Sequence, residues 1–141
     1  MIGLDTNILI DLLVRSQPDH KHTAAWINQC RDRLATTPVN IGEVLQLLTH
    51  PRVFAAPLSL VQAVDLFQHF VQAFDLALLE ESVTWWQELP DLVRHIPGLR
   101  GNEVFDARIA LCLRHNGIKE IWTKDADFAK YPFLKSLAIP R

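Results

Sequence analysis

The chain predicts an α/β fold, a parallel sheet covered by helices on both faces, and three observations predict it. Short apolar runs of strand length recur at 2–4, 34–37, 74–79, 118–122 and 134–139. The segments between them carry apolar residues at spacings of three and four, the mark of helices packed on a sheet. The 141 residues are 49% hydrophobic and 21% charged, the balance of one globular domain with a real core rather than of a disordered chain. The resulting order is β-α-α-β-α-α-β-α-α-β-(α)-β, which short right-handed crossovers turn into a parallel sheet.

Each element has a local reason. Ile2 to Leu4 form a buried strand, and residues 6–14 a helix with Ile8, Leu9, Leu12 and Leu13 on one face. A loop with Pro18 leads to a helix over 20–33, with Ala24, Ala25, Trp26 and Ile27 as core candidates. Pro38 ends the second strand, and Asn40 is suited to cap a helix whose apolar face is Ile41, Val44, Leu45, Leu47 and Leu48. That helix stops at His50-Pro51. Residues 59–73 place Leu60, Val64, Phe67 and Val71 on one stripe. Ser82 is the expected cap of the next helix, with Val83, Trp86 and Leu89 beginning its inner face. After the turn-rich stretch Pro97-Gly98-Leu99-Arg100-Gly101, Asn102 is read as the cap of a helix that Gly117 ends. A short helix over 125–130 and a last edge strand complete the chain.

Four acidic residues fall where a packed element should begin or run. Asp5 closes the apolar start, Glu43 sits at the head of Val44-Leu45-Gln46-Leu47-Leu48, Asp106 lies inside Val104–Leu111, and Asp125 follows Ile121-Trp122-Thr123 by two residues. Each has an ordinary explanation: a helix cap for Asp5, a first-turn carboxylate for Glu43, a turn residue for Asp125, and for Asp106 a surface pair with Arg108 or Arg114. Asp106 fits its explanation worst, because Asp is a poor mid-helix residue and its neighbours are apolar. In open α/β sheets ligands bind beyond the carboxyl ends of the strands. Asp5 and Asp125 fall at that edge, Glu43 close to it, and the place of Asp106 depends on packing. Buried carboxylates are costly unless paired or metal-bound. A set of carboxylates without His or Cys favours hard cations, Mg²⁺ or Mn²⁺, and the chemistry such ions support best is phosphodiester hydrolysis.

The same residues carry a family resemblance. Leu4-Asp5-Thr6-Asn7-Ile8-Leu9 resembles the opening of a PIN domain. Phe105-Asp106-Ala107-Arg108-Ile109-Ala110 resembles its third acidic motif, and Ile121-Trp122-Thr123-Lys124-Asp125-Ala126-Asp127-Phe128 its last. Order and spacing are similar to the VapC toxins over essentially the whole chain. The resemblance implies a PIN-like three-layer α/β/α sandwich with a mostly parallel sheet of four to five strands. It implies a Mg²⁺- or Mn²⁺-dependent endoribonuclease acting on tRNA, rRNA or mRNA, a homodimer, and an antitoxin whose C-terminal segment fills the active-site groove. Asp5, Glu43, Asp106 and Asp125 match the acidic quartet, with Asp5, Asp106 and Asp125 on the metal. Glu43 either binds through water or acts as general base. Asn7 and Thr123 match polar positions that orient carboxylates or water. Asn40 stands where many relatives carry Ser or Thr, with little consequence expected, and Asp127 is a weaker candidate than Asp125.

Other features are set aside or bounded. The net charge of −2 argues against a strongly basic, non-specific nucleic-acid binder but not against a nuclease. Cys30 and Cys112 are expected as buried thiols. The N-terminus lacks the basic region of a signal peptide, and no apolar run is long enough to span a membrane, so the cytoplasm is the expected compartment. His20 and His22 do not share a helix face. Of Trp85 and Trp86, one is expected in the core. Arg94, Arg100 and Lys124 are candidate phosphate contacts or solvated charges. A phosphoacceptor receiver domain wants paired acids after the first strand, and a haloacid-dehalogenase-like phosphatase wants a second Asp where Asn7 stands. A PIN module without catalysis would be marked by a missing acid.

Overall fold

The computed structural model describes residues 1–140. Among them are five strands, β1 (Ile2–Leu4), β2 (Leu34–Thr36), β3 (Ala77–Leu78), β4 (Glu120–Trp122) and β5 (Lys135–Leu137). Six α-helices accompany them: α1 (Thr6–Leu13), α2 (His20–Gln29), α3 (Pro38–Leu48), α4 (Leu60–Phe74), α5 (Leu89–His95) and α6 (Glu103–His115). All strand pairs are parallel, in the order β3-β2-β1-β4-β5.

Alternation along the strands builds two cores. Ile2, Leu4, Leu34 and Trp122 pack with residues of α1 to α4 on one face. Ala35, Ala77 and Ile121 pack with α5, α6 and the segment around Phe128 and Tyr131 on the other. The sheet is therefore the middle of three layers. Gly3 faces α6, and a Cβ there would stand 2.8 Å from a methyl of Leu113, so the missing side chain lets α6 sit close on the central strand.

Several local expectations are corrected. Thr37, not Asn40, caps α3: its hydroxyl accepts from Asn40 N, and Pro38 follows at the first helical position, where no donor is needed. Glu43 consequently lies in the second turn of α3, beyond the strongest pull of the helix dipole. The helix α2 ends at Gln29, with Thr23 and Ile27 buried and Ala25 exposed. The buried stripe of α4 is Ala63, Phe67 and Phe70, which leaves Leu60 and Val64 facing outward. A 3-10 turn (Trp85–Glu88) precedes α5, and Ser82 reaches only Thr84 beside it. Asn102 precedes α6 without a side-chain cap bond; instead Glu103 accepts from Arg100 N. Trp85 is half-buried and Trp86 exposed, so neither enters the core. Cys112 is buried, Cys30 half-buried, and both are free thiols. No helix among the described residues is long and apolar enough to cross a membrane.

The topology locates a crevice. From β1 the chain steps outward to β2 and β3, then returns across the sheet to lay β4 on the other side of β1. The direction of winding reverses between β1 and β4, and α/β sheets open a binding cleft at the carboxyl ends of such a pair. The helices α3 and α6 pack against each other and flank it.

Candidate active site

Asp5 lies at the mouth of this crevice, one residue beyond β1, and is both helix cap and buried carboxylate. Its Oδ1 accepts from the backbone N–H of Thr6 at 2.8 Å and from Asn40 Nδ2 at 3.1 Å. Its Oδ2 accepts from the Thr123 hydroxyl at 2.6 Å. Three donors from three segments thus fix the group. The capping role and the site role fall to one residue.

Asn40 connects the acids. It is 1% exposed inside α3. Its Oδ1 accepts from the Thr37 hydroxyl at 2.7 Å, and its Nδ2 also donates to Thr6 Oγ1 at 3.0 Å. Thr6 Oγ1 in turn donates to Glu43 Oε1 at 3.2 Å. Asn40 and Glu43 are three apart, one turn along the same face of α3. On the other side of Asp5, Thr123 Oγ1 accepts from Asp125 N at 2.9 Å, and Asp125 Oδ1 accepts from Asp127 N at 2.9 Å. One network runs from Thr37 through Asn40, Asp5 and Thr123 to Asp125, with a branch through Thr6 to Glu43. Asn40, Thr6 and Thr37 were not foreseen as site residues. The available signal was a buried-type position held by Asn, a poor helix former, one turn before Glu43.

Asp106 differs from Asp5. It lies in the first turn of α6, where the helix dipole favours a carboxylate, rather than in mid-helix. Among the described residues no hydrogen bond or ion pair ties it down. Neither nearby arginine neutralises it: Arg108 makes a two-pronged bond to Glu81 at 2.7 and 3.0 Å and lies over the Trp85 ring, and Arg114 pairs with Glu88 at 2.8 Å.

The carboxylates act on one another. Burial pushes Asp106 up to about 6, and Asp125 and Asp5 add to the rise. Burial also raises Glu43, with Asp5 and Asp106 adding repulsion. Asp5 is raised by burial and by Asp125, against the lowering effect of its hydrogen bonds to Thr123, Thr6 and Asn40. Four acids spread from residue 5 to residue 125 therefore share one electrostatic environment. Asp127 is exposed and is the least of the acids acting on Asp106.

No three His, Cys, Asp or Glu side chains among the described residues converge tightly enough to enclose a metal ion alone. A hard cation of the Mg²⁺ kind keeps several waters and takes one or two carboxylates plus substrate phosphate. The donors are all oxygen, and their mutual repulsion is what a divalent cation would relieve.

Asn7 Oδ1 accepts from Lys124 N at 3.3 Å, which ties the start of α1 to the loop after β4. Lys124 Nζ reaches Asp11 at 2.5 Å and Asp19 at 3.0 Å, which holds that loop against α1.

Comparison with known proteins agrees with this architecture. The PIN domain family model matches residues 2–134. Ribonuclease VapC24 of Mycobacterium tuberculosis is 33% identical over 127 residues, covering 89% of this chain and 86% of the relative. The crystal structure of Mycobacterium tuberculosis VapC20, a sarcin-ricin loop cleaving toxin, superposes with a TM-score of 0.70 at 20% identity, over 96% of this chain and 98% of that one. A toxin-antitoxin complex from Klebsiella pneumoniae contains a chain with a TM-score of 0.59 at 18% identity, with 95% of each chain covered.

Proposed function

The chain belongs to the PIN domain family, and from that premise we propose that it is a metal-dependent endoribonuclease, the toxin of a toxin–antitoxin pair, with Asp5, Glu43, Asp106 and Asp125 as its catalytic acids. The observation that supports this reading is the hydrogen-bond network that links Asp5 to Glu43 and to Asp125 at the β1/β4 crevice, with Asp106 sharing its electrostatic environment. The relative VapC24 is named a ribonuclease, and similar folds occur in toxin-antitoxin complexes, which supports an RNA substrate and a protein antitoxin. We read residues 1–141 as one nuclease domain, acting as a cytoplasmic homodimer. The RNA is a tRNA, rRNA or mRNA.

Asp5, Asp106 and Asp125 would hold Mg²⁺ or Mn²⁺. Bound there, the ion supplies charge neutralisation for the phosphate and lowers the pKa of a water. The chain's own residues do the rest. Thr123 and Asn40 fix the Asp5 carboxylate through opposite oxygens and so set its orientation before substrate arrives. Glu43, raised by burial, is suited to take the proton as the water oxygen bonds to phosphorus and the P–O bond to the leaving oxygen breaks.

The test is cleavage of a defined RNA pool by the purified protein with Mn²⁺ and with EDTA. Asp5→Asn and Glu43→Gln are expected to lower the rate by about 10²–10⁴-fold while circular dichroism stays unchanged. Wild-type rates in both variants would refute the assignment.

A further inference from the structure

Of the basic residues on α6 and on the chain after β4, three are firmly held. Arg108, Arg114 and Lys124 are each bound to carboxylates at 3.0 Å or less. Lys130, at the end of the 3-10 turn Ala126–Lys130, is held only loosely: its Nζ is 3.5 Å from Glu103 Oε1. Its side chain is 26% exposed, and the ammonium stands 5.8 Å from the centre of the buried Tyr131 ring. Glu103 is on the first turn of α6, three residues before Asp106, so one helical turn separates the partner of Lys130 from a crevice carboxylate. Lys130 is also the cation whose charge acts on Asp106.

A weak anchor, and a place one helical turn from one of the acids, are what a phosphate-binding lysine needs. The acids repel an RNA backbone until cations offset them, and a compact ammonium can leave a 3.5 Å partner at little cost. We propose that Lys130 binds a backbone phosphate of the RNA beside the scissile bond, exchanging Glu103 for the phosphate oxygen as the strand enters. The inference rests on the ribonuclease reading above and names the residue that receives the strand. Lys130 has a second, opposite effect: its charge disfavours a divalent cation near Asp106.

These two effects separate a phosphate contact from a structural role. Binding of a fluorescein-labelled mixed-sequence single-stranded RNA is measured by anisotropy across a salt series in Ca²⁺, with Mn²⁺ binding measured by calorimetry without RNA. Lys130→Gln is expected to weaken RNA binding several-fold and to reduce the slope of log K against log salt by about 0.7, the loss of one single-strand phosphate contact. Lys130→Arg is expected to keep the slope. Mn²⁺ is expected to bind Lys130→Gln as tightly as wild type or more so. An unchanged RNA slope in Lys130→Gln overturns the proposal. So does weaker Mn²⁺ binding, which would make Lys130 a strut of the site. Failure of the wild-type protein to cleave RNA with Mn²⁺ would instead remove the ribonuclease reading, and the salt slope would still decide whether Lys130 meets phosphate.

Discussion

Removing the charge of Asp106 is expected to stabilise the metal-free protein near neutral pH. In the fold this carboxyl is raised from its ordinary 3.8 to about 6. A shift of about 2 units corresponds to about 3 kcal/mol. Asp106 is only half-buried, and solvent screening reduces that to about 1.5 kcal/mol. The sign follows from proton linkage. A carboxyl whose folded pKa is raised keeps its proton longer in the native state than in the unfolded chain. The penalty is therefore absent below the ordinary value of 3.8, grows as pH rises toward 6, and is complete above it. Asp106→Asn removes it and sacrifices no hydrogen bond among the described residues. Urea unfolding in EDTA should show a gain of about 1.5 kcal/mol near neutrality, or about 3–6 °C in Tm, and no gain below the ordinary carboxylate pKa. The gain should disappear when saturating Mn²⁺ stabilises the wild type, because mass action favours the form that binds the ion. Equal or lower stability of Asp106→Asn near neutrality in EDTA would refute the shared-repulsion account.

Asn40→Ala should act in the opposite direction. It removes donors to Asp5 and Thr6 and the acceptor for Thr37, so the metal-free fold should lose about 2–3 kcal/mol, read by urea unfolding. Cleavage should also fall, because Asp5 then has one side-chain donor in place of two. Lys124→Met leaves Asp11, whose side chain is 3% exposed, without its closest cation. Lys124 itself is 43% exposed, so the cost should be about 2 kcal/mol rather than that of a fully buried pair. Hydrogen exchange should rise selectively in the loop after β4, and a uniform rise across the sheet would contradict the pinning role.

The fold was largely legible because strand runs and helix faces are local patterns. Each of the five apolar runs contains a strand, but the third gives only Ala77–Leu78 because Phe74 ends α4, and the parallel pairing followed from crossover rules. What failed was also local in cause. Asn40 reads as the α3 cap only if Thr37 belongs to the strand; in the fold Thr37 is the cap, which puts Glu43 one turn further along the helix. The spacing puts Leu60, Val64, Phe67 and Val71 on the α4 stripe; Phe67 is buried, but its inward companions are Ala63 and Phe70, because helix periodicity alone fixes a face only to within a residue.

The acids themselves were visible as polar groups in apolar surroundings. Their connections were not. The bond from Thr123 to Asp5 spans 118 residues, and that from Asn40 to Asp5 spans 35. No window along the chain contains either pair. The ion pairs of Lys124 were hidden for a related reason. Its partners, Asp11 and Asp19, come from α1 and the loop beyond it, far away in sequence.

The reversal of winding between β1 and β4 also sets when a growing chain can become dangerous. The strand beside β1 on the crevice side is the fourth made, and the residues that hold and complete the acid set follow it at 123 and 125. A ribosome that has delivered Asp5, Glu43 and Asp106 has still made only one wall of the cleft. Pairing of such distant segments is also slow to form. Synthesis must pass residue 125 before all four acids can stand together, so the centre proposed above is among the last features of the fold to form.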